Sequence, residues 1–441
     1  MAKKKGRKKL KKIKFAFALI LVVIVALAIT KIVSNGNSYM NNAVVQTVNT
    51  IKINKSSITL NKGEDSTLKA TITPSSSKKI TWTSSNTKVA KVDSNGKVTA
   101  VKAGNVIITA KAGNKTATCN VKVTNIMVHN QQNSAVTEYL KNTSNVKNIY
   151  DKYKCNNNKC YIPNKYNTKL TGNINIYSYN EKTQAKKLLV KTSAGNINDY
   201  LIPNNTYYLE MVSNKNKYEI VKVTGNLRML SGLGNFRDLG GWNADGGKIK
   251  YGILYRSATT DSLSNLNIIN RLGIGKVVDL RGKGESNTKA IIESIRTRIS
   301  IEYYATDKNV RKAIETIMKG VVNEKKNVLF HCNFGRDRTG TIAYIIEGIL
   351  GVSLNDRKTD YELTYFYSTA RTRNDSSFNS LINKINKFNK NKYEQERFIN
   401  WYLSTSTNKS NDLKLINNFR KKMIDGNPKQ YKLSNNKLIL S

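Results

Sequence analysis

The sequence predicts a multidomain chain: an N-terminal transmembrane helix, a β-sandwich, a small β-rich segment and a C-terminal α/β domain. Three observations predict it. The 441 residues are too many for one ordinary core, so two to four domains are expected. Residues 15–30, FAFALILVVIVALAIT, carry no charge. Beyond them, short alternating runs separated by turns give way near residue 226 to apolar runs interleaved with helical periodicity.

The first 14 residues, MAKKKGRKKLKKIK, hold eight Lys, one Arg and no acid. Together with Ile13, Ile32 and Val33, the apolar stretch approaches the ~20 residues that span hydrocarbon. Lys14 and Lys31 stand where their side chains reach the interface. A basic preface keeps residues 1–14 in the cytoplasm and sends the bulk of the chain outside. The alternative is a cleaved signal peptide, for which Ala26-Leu27-Ala28 supplies a small-x-small site. Export is expected in both cases. The net charge is +45, and removing the nine N-terminal cations leaves +36. Such charge attracts polyanions, an anionic cell-wall polymer among them, or reflects a codon bias that enriches Lys, Asn and Ile together. The lysines are scattered rather than striped, so nucleic acid is not an expected partner.

Residues 34–50 are polar and small, a linker. Over 51–124, runs such as STLKATI, KITWTS and NVIITAKA alternate in the strand manner, with Asn95-Gly96 and Ala112-Gly113-Asn114 as turns. Trp82 is the buried aromatic expected of a sandwich, and Cys119, in ATCNVKV, is a core position. The passage from SITLNKGEDS to AVKAGNVIITA resembles a group 2 bacterial immunoglobulin-like domain, which implies a spacer rather than a catalytic unit. Residues 125–160 are Asn-rich and read as a linker with one short helix near AVTEYLKN. Within it, Cys155 and Cys160 form either a local disulfide or two free thiols, since nothing nearby completes a metal site. Strand patterns return over 161–225, where LIPNNTYYLEMV is similar to the late strands of fibronectin type III domains.

In 226–441, GIGKVVDL (273–280) and NVLF (327–330) read as buried strands. In TGTIAYIIEGILG, Ile342, Ile345, Ile346, Ile349 and Leu350 mark one helical face. Between strand and helix lies HCNFGRDRTG (331–340), which contains one of only two histidines and one of four cysteines. A loop of backbone N–H groups curling into a helix N-terminus makes an anion site. Gly335 and Gly340 relax its backbone, and Arg338 offers a planar fork to two phosphate oxygens. Cys332, near the helix dipole and a guanidinium, is favoured as thiolate, a nucleophile aimed at phosphorus. His331 orients the loop, and Thr339 can donate to the sulfur. No metal or other cofactor is required. With His129 as the sole other histidine, serine and metal hydrolases are disfavoured.

HCNFGRDRTG resembles the cysteine-dependent tyrosine phosphatase signature, His-Cys-x5-Arg-Ser/Thr. Its Gly-x-Asp-Arg-Thr-Gly ending is similar to that of the bacterial tyrosine/serine phosphatases that also act on phosphoinositides. GNFRDLGGW (234–242), YGILYRSA (251–258), VVDLRG (277–282) and DYELTYF (360–366) follow the same order as in that group. The resemblance implies that Cys332 forms a phosphocysteine and Arg338 clamps the phosphoryl group. It further implies that Asp337 is the general acid, with Asp307, in YYATDKN, as the alternative. Asn333, Phe334, Gly335 and Arg336 would cradle substrate with His331, Thr339 and Gly340. Phe334 stands where a small residue is usual, so a ring narrows the mouth or stacks there. Arg336 replaces the common Lys and favours acidic or multiply phosphorylated substrates. Arg237, Asp238 and Arg256 either line the pocket or tie the first strands together, the latter being the preferred reading. The expected partners are a phosphorylated protein, a peptide or a phosphoinositide. The expected location is the bacterial cell membrane, single-pass with the bulk extracellular, or secreted if the N-terminus is cleaved. A second reading is a surface adhesion or anion-binding module with a non-catalytic phosphatase fold.

Overall fold

The computed structural model describes residues 48–441 except 49, 75–78, 142–144, 231, 261–262, 283–294, 370 and 389–391. The expected anchor at 15–33 and basic tail at 1–14 lie outside the described residues. Among those described, no helix is long and apolar enough to cross a membrane. The chain divides into two compact units, Met1–Thr124 and Asn125–Ser441.

In the first unit, short strands build antiparallel-rich sheets. The largest runs Ser57–Asn61, Lys115–Thr124, Gly104–Ala112, Thr81–Ser84 in spatial order. Alternation along Gly104–Ala112 buries every second side chain, so Val106 and Ile108 meet Leu60, Leu68, Val98 and Val121 in one core. Cys119 is fully buried there and free. Trp82 differs from expectation: it is half-buried, bridging two apolar clusters rather than filling the centre of one. Asn95-Gly96 is a turn, with Gly96 at a φ of 79°. A Cβ there would meet the Leu68 carbonyl at 2.4 Å.

In the second unit, residues 125–224 hold one five-stranded sheet, ordered Ile126–Asn130, Asn214–Thr224, Thr206–Met211, Asn173–Tyr179, Lys186–Ser193. Its first pair is parallel. The segment is β-rich as its pattern suggests, yet it is not two facing sheets of fibronectin type III form. Ile174, Ile176, Leu209, Val221 and Val223 are covered instead by Ile197 and Leu201, on and beside the short helix Ala194–Asp199. The stretch expected as a linker, 125–160, also differs. It contributes an edge strand, helices Ser134–Lys141 and Val146–Tyr153, and the Cys155–Cys160 disulfide. The reason is amphipathic: Ala135, Val136, Tyr139, Val146 and Ile149 bury themselves in the core of the C-terminal domain.

That domain is built on a sheet ordered Arg237–Asp238, Leu254–Ser257, Asn327–His331, Ile274–Asp279, Arg296–Arg298. All neighbours are parallel except the first pair. The central strand, Asn327–His331, is buried from Val328 onward, which is why it reads as a continuous apolar run. Helix Asp337–Leu350 follows it. Every residue of this helix is buried, not one face only. Gly348 lets Phe398 of helix Gln395–Ser404 approach within 2.5 Å of where a Cβ would sit, so the solvent side of an ordinary surface helix is covered here. A ligand site in such an open sheet is expected beyond the carboxyl ends of the strands.

The disulfide closes a loop with a sequence separation of 5, and both sulfurs are buried in the domain core. Removing it by Cys155→Ser with Cys160→Ser should lower unfolding stability by about 2 kcal/mol, the loop-closure value for so short a ring. Urea denaturation of oxidised wild type and the double variant measures this. An unchanged midpoint would show the bridge to be mechanically idle.

Candidate active site

The decapeptide leaves the central strand at His331 and enters its helix at Asp337. Its carbonyls are held from behind. Thr259 N–H donates to the Asn333 carbonyl at 3.0 Å. The Asn235 amide donates to the Phe334 and Gly335 carbonyls at 3.0 and 2.9 Å. Arg256 Nη2 donates to the Gly335 carbonyl at 2.8 Å. In a planar trans peptide the N–H points opposite the C=O. The amides of Phe334, Gly335 and Arg336 are thereby turned towards the other side, which is the arrangement of an anion-binding nest. Gly335 has a φ of 64°, and its missing side chain is needed because a Cβ would lie 2.5 Å from the Ser257 carbonyl.

The clamp behind the loop is ionic and dry. Arg237 donates through Nε to Asp360 Oδ1 at 2.8 Å and through Nη1 to Asn235 Oδ1 at 2.7 Å. Arg256 pairs with the other Asp360 oxygen, and all three charged residues are buried. Burial alone would raise the Asp360 carboxyl, but the Arg237 and Arg256 charges outweigh it and hold it below its ordinary value. Glu347, buried with no hydrogen-bond partner among the described residues, is pushed well up by burial and then by the Asp360 charge. Arg237 and Arg256 therefore tie the first strands, as read from sequence. Asp238 does likewise, pairing with Arg228 at 3.3 Å.

His331 is fully buried. The Cys332 carbonyl can only accept, so the imidazole Nδ1 donates to it at 3.3 Å and the unprotonated Nε2 accepts from the Thr260 hydroxyl at 3.3 Å. Burial pushes its pKa down to about 4, against the opposing pull of Asp279. Arg281 grips Asp279 with two bonds of 2.8 Å and reaches Thr259 at 3.0 Å.

A cleft of about 540 Å³ opens over the loop, and Cys332, Asn333, Phe334, Arg336, Asp337 and Arg338 line it. Cys332 is 3% exposed and unbridged. Gly340 does not face the cleft but abuts Tyr361, whose ring lies 2.9 Å from where its Cβ would be. Thr339 is fully buried, and its hydroxyl has no partner among the described residues. Phe334 stands at the rim, 57% exposed, with the Arg336 guanidinium 5.5 Å from its ring. Arg336 also donates to Asp337 at 3.0 Å. Asp307 lies elsewhere: exposed, it caps helix Lys308–Val322, accepting from Asn309 and Val310 N–H at 2.9 and 3.0 Å. Sequence spacing did not flag Arg371 and Lys384, which come to the cleft from beyond residue 370. No group of three His, Cys, Asp or Glu suited to a metal occurs among the described residues.

Comparison with known proteins agrees with this layout. Residues 228–411 match the model described as the tyrosine phosphatase family. They are a tyrosine phosphatase-family domain. Residues 47–121, upstream of the phosphatase-family domain, match the group 2 bacterial Ig-like domain. A Cupriavidus necator protein named as a candidate tyrosine-protein phosphatase is 29% identical over 163 residues, covering 29% of this chain and 59% of its own length. The chain thus spans under two thirds of that relative. Among solved structures, Tk-PTP in its active form is 17% identical with a TM-score of 0.24, covering 31% of this chain and 92% of its own. Domains 4 and 5 of the S-layer protein SbsC are 25% identical with a TM-score of 0.17, covering 18% of this chain and 52% of theirs.

Two outcomes are expected of the site. Because His331 is neutral when folded, the unfolded chain binds one more proton below about pH 6.5. Stability should therefore fall as pH drops from about 6.5 towards 4, by on the order of 3 kcal/mol from this group. Comparing urea unfolding of wild type and His331→Gln across that window isolates it, and equal slopes would refute a neutral buried imidazole. Gly335→Ala should cost about 1–3 kcal/mol through its positive φ. The substitution should weaken binding of inorganic phosphate alongside stability.

Proposed function

We propose that the C-terminal domain hydrolyses phosphate monoesters through a phosphocysteine on Cys332. The observation that carries this reading is the cleft itself. Cys332 sits at its base, below a loop whose carbonyls are engaged from behind by buried side chains, and Arg338 and Asp337 line the same cleft. The Cys332 thiolate attacks phosphorus as the P–O bond to the leaving group breaks. Arg338 and the loop amides carry the charge of the equatorial oxygens. Asp337 gives its proton to the departing oxygen. Water then attacks the phosphocysteine, its proton returns to Asp337, and inorganic phosphate leaves with the thiolate restored. The Thr339 hydroxyl, buried and uncommitted among the described residues, is suited to donate to the sulfur as it departs. Asp307, tied into its helix cap, is the weaker candidate for the acid.

The substrates proposed are phosphotyrosine or phosphoserine proteins and phosphoinositides. Arg336, Arg338, Arg371 and Lys384 against the single carboxylate of Asp337 favour anionic surroundings for the ester. We further propose that the protein is exported and anchored by residues 15–33, with its basic surface lying near anionic wall polymer. The Cys155–Cys160 bridge supports an oxidising compartment.

With the full-length protein, Cys332→Ser should abolish turnover of 4-nitrophenyl phosphate, and Arg338→Lys should cost at least about a hundredfold. Asp307→Asn, which still caps its helix, should leave turnover within about twofold. Retained hydrolysis in Cys332→Ser would revive the reading of a non-catalytic anion-binding module. Parallel assays on phosphotyrosine peptide, phosphoserine peptide and phosphoinositide vesicles choose the substrate class.

A further inference from the structure

Resting on the phosphatase reading, we propose that Tyr304, backed by Tyr361, is the positioning residue that aims the Asp337 carboxyl and carries its charge once its proton has gone. The Tyr304 hydroxyl lies 2.5 Å from Asp337 Oδ1 and 2.6 Å from the Tyr361 hydroxyl. The three oxygens thus form a row running inward from the cleft. Both tyrosines are buried, Tyr304 at 5% and Tyr361 at 2% exposure.

Two structural features show that the row is built rather than incidental. Tyr304 holds a φ of 53°, a region aromatic residues rarely enter, so the surrounding packing must enforce it. Lys384 does part of this by donating to the Tyr304 carbonyl at 3.2 Å. Tyr361 is clamped face to face on Phe378, with ring centroids 3.7 Å apart and planes within 6°. Its ring also presses against Gly340 in the first turn of helix Asp337–Leu350, where a Cβ would be 2.9 Å from the ring. Gly340, Tyr361, Tyr304 and Asp337 are therefore one contiguous arrangement, and the glycine's role is to let the tyrosine reach the row.

The charges facing Asp337 are accounted for from every side. Arg336 from its own loop donates to Oδ2 at 3.0 Å. Arg371 donates to Oδ1 at 3.3 Å while also pairing with Asp375 at 2.8 Å. Tyr304 comes from the segment before helix Lys308–Val322, and Tyr361 from helix Leu354–Leu363. Arg338 lines the same cleft. Of these donors, Tyr304 is neutral and buried, so it fixes direction where the arginines supply charge. In the chemical step the proton passes from Asp337 to the leaving oxygen. Tyr304 keeps its own proton and donates its hydrogen bond to the carboxylate left behind.

A group acting through the acid matters most when the leaving group is poor. Full-length Tyr304→Phe should lower kcat on a phosphoserine peptide by about tenfold, with KM and inhibition by inorganic phosphate unchanged. On 4-nitrophenyl phosphate, whose leaving oxygen scarcely needs a proton, the loss should stay within about twofold. Tyr361→Phe, one hydroxyl further from the acid, should give a smaller loss with the same leaving-group dependence. Equal losses on both substrates, or none on either, would overturn the proposal. Failure of the underlying reading looks different: Asp337→Asn would then lack leaving-group dependence altogether, and the role of Tyr304 would fall with it.

Discussion

The carboxylate of Asp360 joins fold to site. It receives Arg237 from one strand and Arg256 from the next, and Arg256 passes the constraint on to the Gly335 carbonyl. Removing a single partner from so dry a cluster would strand a buried charge, a loss far larger than that of an exposed pair. The cluster also sets two guanidiniums against the Asp360 carboxylate, and the Glu347 carboxyl nearby is pushed well up by burial and then by the Asp360 charge. Two guanidiniums thus stand behind a loop whose amides turn forward, an arrangement suited to an anion before any side chain at the mouth of the cleft is considered.

Rigidity on one side of the loop contrasts with exposure on the other. Asn235, Arg256 and Thr259 fix the backbone from within, whereas Phe334 and Tyr303 stand more than half exposed at the rim. The division separates chemistry from selection. The inner contacts fix the course of the loop backbone, and the outer side chains face whatever enters the cleft.

Much of the catalytic-type loop was legible because its chemistry is local. Strand, glycines, cysteine and arginine occupy a dozen consecutive positions, and the backbone there has few other ways to run. The ties behind it were half legible: Asn235, Arg237, Arg256, Arg281 and Asp360 all lie in short quoted motifs, but nothing in spacing says which meets which. Tyr304, Arg371 and Lys384 left no signal, since each reaches the cleft through tertiary packing across long sequence separations. Asp307 illustrates the converse. Its carboxylate, read from its position ahead of Cys332 as the alternative acid, accepts two N–H groups at a helix start, a contact that spacing alone does not announce. The stretch 125–160 misled because Asn-rich composition hid a narrow apolar stripe whose partner surface lies far downstream.

That stripe has a consequence for how the chain is made. Tyr139 bonds to Glu362, 223 residues later, and Tyr161 reaches Arg237 beside the signature loop. During vectorial synthesis these side chains emerge long before the surface that receives them, so their apolar faces must wait in the open. The small cystine ring needs no downstream sequence and can close early, presenting Tyr161 ready-placed. The match to the tyrosine phosphatase family begins at residue 228, but the unit that must come together begins at Asn125, and a fragment cut at the former point would lack one of its own walls.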